Sequence, residues 1–357
     1  MMSIEKITHT ETIAMPSNDF MQYALSHGFG DLHFKADPAT GMQAIIAVHN
    51  TKLGPALGGC RFIEYDDLFS AIHDAMRLAR GMSYKAALTN LPLGGGKSVI
   101  IKPKGGFDRA SYFHTFGKFV NELNGRYITA LDSGTELTDM ANIASQTSYV
   151  ASRPEHGDPS PSTALGVFRG VQAAASFKFG NDNLSGRHVA IQGLGHVGYN
   201  LARHLHEAGA KLTVSDINNA TVERAVKEFG ATAVTVDAIH KTDCDIFSPC
   251  ALGAIINDLT INQIQAQVIA GAANNQLAHT YHGKLLHEKG ILYAPDYVIN
   301  AGGLVFAASK YLNMPEDQLL QKVNGIAESL LEIFQRSSDE DLPTSEIADC
   351  LAQEKIA

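Results

Sequence analysis

Two lysines and an aspartate stand where proton chemistry could be done. Residues 84–100 read YKAALTNLPLGGGKSVI, with Lys85 and Lys97 flanking a nearly uncharged run and Gly94, Gly95 and Gly96 directly before the second lysine. The glycines read as a loop that lets backbone and ligand approach closely. An ammonium held between such a loop and the apolar SVII loses hydration, which disfavours its charged form and lowers its pKa. Lys97 could then act as an acid or base near neutrality. Lys85, at the end of an arginine-bearing helix, is expected to keep its charge and hold a substrate carboxylate. Asp132 follows the apolar YITAL and precedes SGT, where it could pair with a lysine and relay protons.

A second pattern predicts a cofactor. Residues 188–198, HVAIQGLGHVG, run an apolar strand into Gly193-x-Gly195-x-x-Gly198, and YNLARHLHEAGA continues as a helix. In such a turn one glycine makes the tight bend, one lets the backbone approach a pyrophosphate, and one lets helix and strand pack closely. The helix N-terminus offers the phosphates unpaired N–H groups and a positive dipole end. The next strand, KLTVSD, ends in Asp216, which can hydrogen-bond the adenosine ribose hydroxyls and would repel a 2′-phosphate. That favours NAD over NADP. Gly193, Leu194, Gly195, His196, Val197, Gly198 and Asp216 are the candidate cofactor residues.

The elements that must position these groups follow from periodicity. QAIIAVHN (43–50) reads as a buried strand and LGPALGGCRF as a glycine-rich loop carrying Arg61. DDLFSAIHDAMRLARG has apolar residues at helical spacing, with Asp66 or Asp67 to cap its start and Gly81 to end it. SVIIKP is a short strand stopped by Pro103, residues 110–123 a helix, and GRYITALDSGT a strand running into a polar turn. ASRPEHGDPSPS (151–162), with three prolines, reads as a loop or interdomain connection. A helix starts just after it. The pattern then changes to alternating short strands and helices, which implies a parallel sheet, with strands at HVAIQGL, KLTVSD, CDIFSPC, VIAGAAN and ILYAPDYVIN. Residues 315–336 and TSEIADCLAQEKIA are closing helices.

Composition bounds the rest. The 357 residues suggest about two domains. At 45% hydrophobic and 18% charged, a core is readily buried. The net charge of −9 argues against nucleic-acid partners, which need a basic surface. No apolar run approaches the ~20 residues of a membrane span. The N-terminal stretch lacks an apolar signal-peptide core, so a cytoplasmic protein is expected. The four cysteines have no C-x-x-C spacing and the 15 histidines no H-E-x-x-H pattern, so no metal site is expected.

The motifs GPALGGCRF, LARGMSYKAAL, LPLGGGKSVI, NGRYITALDSGT, DPSPSTALGV, QGLGHVG, DIFSPCALGAIIN, GAANNQL and YAPDYVINAGG together resemble the NAD-dependent amino acid dehydrogenases, over roughly residues 20–340. The leucine-acting members are the nearer match. The resemblance implies an α/β fold of two domains around a cleft: a substrate and oligomerisation domain (1–150), a Rossmann-type NAD domain (151–330), and C-terminal helices (331–357) packing back. It implies a homo-oligomer, often an octamer, and reversible oxidative deamination of an L-amino acid to a 2-oxo acid and ammonia. Lys85 would bind the substrate carboxylate, Lys97 would be the catalytic lysine and Asp132 the proton-relaying acid. Asn275 and Asn300 would make polar contacts near nicotinamide and substrate, with Asn274 and Thr163 facing the cofactor. Leu57, Gly58, Gly59, Ala130, Leu304 and Ala307 would line the side-chain pocket.

These pocket residues are small and apolar, which suits a branched aliphatic side chain. One departure bears on specificity. The family usually reads ITAEDVGT where this chain has ITALDSGT, placing Leu131 and Ser133 around the acid. A roomier pocket would admit phenylalanine or tryptophan. Two rivals differ in kind. A 2-hydroxy acid dehydrogenase would want a histidine–acid pair that is not evident. A non-catalytic NAD-binding sensor would have lost Lys85, Lys97 or Asp132.

Overall fold

The computed structural model describes residues 20–251 and 253–357; the N-terminal stretch read for a signal peptide lies outside them. In chain order, α1 (Phe20–Ser26), β1 (Asp31–Asp37), β2 (Met42–Asn50), β3 (Ala56–Ile63), α2 (Leu68–Leu88), β4 (Gly94–Ile101), α3 (Arg109–Glu122), β5 (Tyr127–Leu131) and α4 (Leu137–Ala144) form the first unit. Its strands lie in the order β1-β2-β4-β3-β5. β4 and β5 run parallel to β3, whereas β2 is antiparallel to β1 and β4. Side chains alternate across such a sheet. On β2, Ala44, Ile46 and Val48 pack with Phe113, Phe116 and Val120 of α3, while Ile45 and Ala47 face Ile72, Ala75 and Met76 of α2. Both faces are covered, so the strand reads as a continuous apolar run.

Three local expectations change here. The glycine-rich stretch before Arg61 is not a loop but β3. The three glycines before Lys97 open β4 and are buried. A Cβ at Gly94 would lie 1.9 Å from the Asn50 carbonyl oxygen, at Gly95 1.9 Å from the Ser83 nitrogen, and at Gly96 2.8 Å from the Tyr127 ring. They are glycines so that α2 and the neighbouring chain can press against the strand, rather than to admit a ligand. Helix α2 also does not stop at Gly81. Asp67 caps it, accepting from the Ser70 N–H, and it runs on to Leu88. Tertiary burial of Ser83, Tyr84 and Ala86–Leu88 outweighs the ~1 kcal/mol that one glycine costs a helix. That continuation is what brings Lys85 to the site.

The second unit comprises α5 (Ser160–Phe179), β6 (His188–Gln192), α6 (His196–Glu207), β7 (Lys211–Ser215), α7 (Asn219–Phe229), β8 (Thr232–Ala233), β9 (Ile246–Pro249), β10 (Val268–Ile269), α8 (Tyr281–Glu288), β11 (Leu292–Tyr293), α9 (Asp296–Ile299) and α10 (Gly302–Tyr311). The sheet is parallel, in the order β11-β10-β9-β6-β7-β8. Chain order reverses between β6 and β9, the switch point where such sheets leave a crevice for ligands. The expected strand VIAGAAN shrinks to Val268–Ile269. ILYAPDYVIN breaks at Pro295, after which Asp296–Ile299 is helical. The proline-rich connection is shorter than expected, because α5 already begins at Ser160.

Helix α11 (Glu316–Glu340) packs on α5, and α12 (Thr344–Ile356) returns to α2. Gln353 donates to the Tyr84 hydroxyl (2.8 Å), and Lys52 donates to the terminal Ala357 carbonyl (2.7 Å).

Candidate active site

The ends of β3, β4 and β5 set one wall of a cleft. Lys97, on β4, is only 6% exposed, and its ammonium is ion-paired with Asp132. Asp132 sits one residue past β5, in a turn closed by Thr135. The Asp132 N–H donates to Thr135 Oγ1 (3.0 Å), which donates to the Asp132 carbonyl (2.7 Å). Gly59 gives this acid its room, since a Cβ there would lie 2.7 Å from the Asp132 Cβ. Burial raises the Asp132 pKa. The charge and hydrogen bond of Lys97, the Ser133 N–H and the Arg61 guanidinium outweigh it and hold the carboxyl below its ordinary value.

Lys85, expected to keep its charge, is the lysine whose pKa falls. Burial falls on Lys85, pushing its pKa down to about 8, with Asp296 and Asp132 opposing and Lys97 adding to the fall. Lys97 instead has a carboxylate against it. Lys85 Nζ donates to Asn300 Oδ1 (2.8 Å), and Asn300 Nδ2 donates to Asn274 Oδ1 (2.7 Å) and to the Ala272 carbonyl (3.1 Å). The two asparagines thus carry a hydrogen-bonded chain from the dinucleotide side to a lysine of the opposite unit. Asp296 lies beside it with a carboxyl pushed up by burial, its oxygens accepting from the Gln276 and Tyr297 N–H groups.

The fingerprint glycines have three distinct surroundings. Gly193 has φ +94°, a conformation that disfavours a side chain. A Cβ at Gly198 would meet the Gly193 carbonyl oxygen at 2.0 Å and Cys250 at 3.2 Å, so helix and strand close there. A Cβ at Gly195 would meet nothing within 4 Å. Gly195 opens α6 without a side-chain cap, leaving its first-turn N–H groups facing open space. Asp216 sits one residue past β7 and accepts from the Leu194 N–H (2.6 Å) and the Asn218 N–H (2.8 Å), which ties it to the loop. A pyrophosphate fits at Gly195 and a ribose beside Asp216. His196 is 86% exposed and lies 3.8 Å from Asp158, while Val197 packs toward the core. Thr163 donates to the Pro159 carbonyl (3.1 Å) and lies under the start of α10, where a Cβ at Gly303 would meet its hydroxyl at 2.8 Å.

The cleft between the two walls holds about 420 Å³. Leu57, Gly59, Lys85, Lys97, Ala130, Asp132, Asn274, Asn275, Leu304 and Ala307 line it together. Gly58 does not belong to the pocket. A Cβ there would lie 1.7 Å from the Gly96 carbonyl oxygen, so this glycine serves the contact of β3 with β4. Sequence reasoning missed Arg61, Arg77, Met82, Leu137, His156 and Asp296 as lining residues. Arg61 and Asp296 stood inside quoted motifs and could have been found as lone charges in apolar runs. Arg77 and Met82 lie on α2, beyond or near the point where the helix was expected to stop. Among the described residues no group of His, Cys, Asp or Glu is placed to hold a metal ion.

Comparison with known proteins agrees with this geometry. Residues 31–149 match the family described as Glu/Leu/Phe/Val dehydrogenase, dimerisation domain, and residues 158–225 and 217–342 match Glutamate/Leucine/Phenylalanine/Valine dehydrogenase. A leucine dehydrogenase of Bacillus subtilis (strain 168) is 50% identical over 95% of this chain and 94% of that protein. An L-tryptophan dehydrogenase of Nostoc punctiforme is 47% identical over 88% of this chain and 90% of that one. A crystal structure of L-tryptophan dehydrogenase from Nostoc punctiforme superposes with a TM-score of 0.87 at 42% identity, covering 94% of this chain and 98% of the other. Two sheets facing each other across a lysine-bearing cleft, a dinucleotide turn on one of them and family matches over both units have one meaning: the chain belongs to the Glu/Leu/Phe/Val dehydrogenase family and is an amino acid dehydrogenase.

Proposed function

We propose that the chain catalyses the reversible NAD-dependent oxidative deamination of branched-chain L-amino acids, leucine together with valine and isoleucine. The observation that carries this reading is the convergence of Lys85, Lys97 and Asp132 in one cleft opposite the glycine turn. Its lining of Leu57, Ala130, Leu304 and Ala307 suits an aliphatic side chain. Relatives named leucine dehydrogenase at 47–50% identity support the same substrate. NAD is favoured over NADP by the carboxylate of Asp216.

Lys85 holds the substrate carboxylate and Asn300 orients Lys85. NAD, when bound, supplies the acceptor for the hydride leaving Cα. The electrophilic imine carbon left on the substrate is attacked by a water that Lys97 activates. Asp132, against Lys97, moves the proton to the departing nitrogen, and ammonia leaves as the carbonyl forms. Closure of the cleft excludes bulk water from the hydride step. The division into 1–150, 151–330 and 331–357 is part of this proposal, the last segment starting inside α11. So are a cytoplasmic location and an octamer, which light scattering tests.

A second reading keeps the chemistry and changes the side chain. Leu131 is 38% and Leu137 44% exposed while lining the cleft, apolar area that an aromatic substrate would cover. NADH formation at alkaline pH with leucine, valine, isoleucine, phenylalanine, tryptophan and glutamate separates the two. An aliphatic lead supports the first reading and an aromatic lead the second. No turnover with any, despite NAD binding, overturns both.

A further inference from the structure

One acid outside the cleft holds two of the cations that line it. Asp74, on α2, is 16% exposed, and its carboxylate is fully engaged. Its Oδ2 accepts from Arg61 Nη1 (2.7 Å) and from the Tyr65 hydroxyl (2.6 Å), and its Oδ1 from Arg77 Nη2 (3.0 Å). Both arginines line the cleft, and Asp74 does not. Arg61 turns Nε toward Asp132, whose Oδ2 is 3.7 Å away. That separation gives Coulomb attraction without a hydrogen bond. An unrestrained guanidinium beside a carboxylate takes it in a bidentate fork. Such a fork on Asp132 would occupy the oxygens that Lys97 and a substrate amine must share.

We propose that Asp74 is a positioning residue for the deamination: it holds Arg61 back, so that Asp132 is neighboured by a cation without being capped by it. The inference rests on the proton-relay reading of Asp132. The charged and titratable groups facing Asp132 are Lys97 from β4, Arg61 and Cys60 from β3, Tyr127 from β5 and Lys85 from α2. Burial pushes both the Cys60 thiol and the Tyr127 phenol up, so each stays protonated. Facing Asp74 are Arg61, Tyr65, Arg77 and, on its own helix, His73. Burial raises the Asp74 pKa, but the Tyr65 hydrogen bond and the two arginines outweigh it, so it stays anionic over the working range.

The test is Asp74→Asn, which keeps the shape and removes the charge. We expect kcat to fall on the order of tenfold to a hundredfold, with KM for the amino acid changed much less. The acid limb of the kcat profile should move to lower pH, because Arg61 then bears fully on Asp132. Asp74→Glu should recover most of the loss. A merely structural role would lower stability and leave kcat per folded enzyme and the acid limb unchanged, which overturns the inference. A crystal structure of Asp74→Asn judges it without turnover: Arg61 within about 2.9 Å of Asp132 is expected, and Arg61 in its present place overturns it. Should Asp74→Asn not fold, Tyr65→Phe should shift the profile the same way by less, and an unmoved profile counts against the inference. Wild-type protein inactive on all six amino acids would sink the functional reading, while the crystal structure would still decide the placement of Arg61.

Discussion

Lys85 is a cation dehydrated by burial in the cleft. Its pKa of about 8 makes it charged at neutral pH and neutral as pH rises through that value. A carboxylate ligand needs the charged form. Inhibition by a 2-oxo acid without ammonia should therefore be constant below pH about 8 and weaken tenfold per unit above it. Lys85→Arg stays cationic at every pH tested, so any binding it retains should not change with pH. Inhibition constants measured from pH 7 to 10 check this, and a flat wild-type profile would remove Lys85 from the carboxylate. For folding, the sign follows from a folded pKa below the unfolded one. Between about 8 and 10.5 the unfolded chain binds more protons, so this group's contribution to stability rises with pH. That two lysines and an acid stood near one another was readable from residue types and neighbours. That burial would also lower the Lys85 pKa was not, because it comes from α9 and its flanks, more than 200 residues along the chain.

At the scale of elements, the glycine turn of β6 and α6 shows how one motif mixes two roles. Gly195→Ala adds a methyl to open space, so stability should stay within about 0.5 kcal/mol. That space is where the pyrophosphate must come, so KM for NAD should rise by about tenfold or more. Gly198→Ala drives a methyl into the Gly193 carbonyl and should cost about 1–3 kcal/mol of stability as well as cofactor binding. Denaturant titration and NAD kinetics on the pair separate the roles, and equal stability of both variants would contradict the packing. The turn was legible because strand, glycines and helix are contiguous. β3 and the start of β4 were not, since their glycines are explained by Gly58 against Gly96 and Gly95 against Ser83, contacts between segments far apart in the chain.

Across the whole molecule, a half-buried polar tie joins the two units to the C-terminal helix. Asp349 of α12 accepts from the Tyr297 hydroxyl of α9 (2.7 Å) and lies 3.6 Å from Arg80 of α2. Burial pushes its carboxyl up, with Tyr297 and Arg80 opposing. Tyr297 lines the cleft next to Asp296, so the tie reaches the cleft wall. Tyr297→Phe takes one donor from a carboxylate that water and Arg80 still reach, so it should cost about 1 kcal/mol, read as a lower denaturant midpoint. An unchanged midpoint would show that the tie carries no stability.

Composition, contiguous motifs and alternation were enough to specify an α/β chain with a dinucleotide turn and a lysine–acid pair, because each of those signals is local. Which lysine pairs with Asp132, the asparagine chain to Lys85 and the grip of Asp74 on Arg61 and Arg77 were not legible. Those contacts exist only once β3, β4 and β5 lie side by side and α2 spans the gap to the second sheet. Their strength comes from lost water, and water is lost only where distant segments close together.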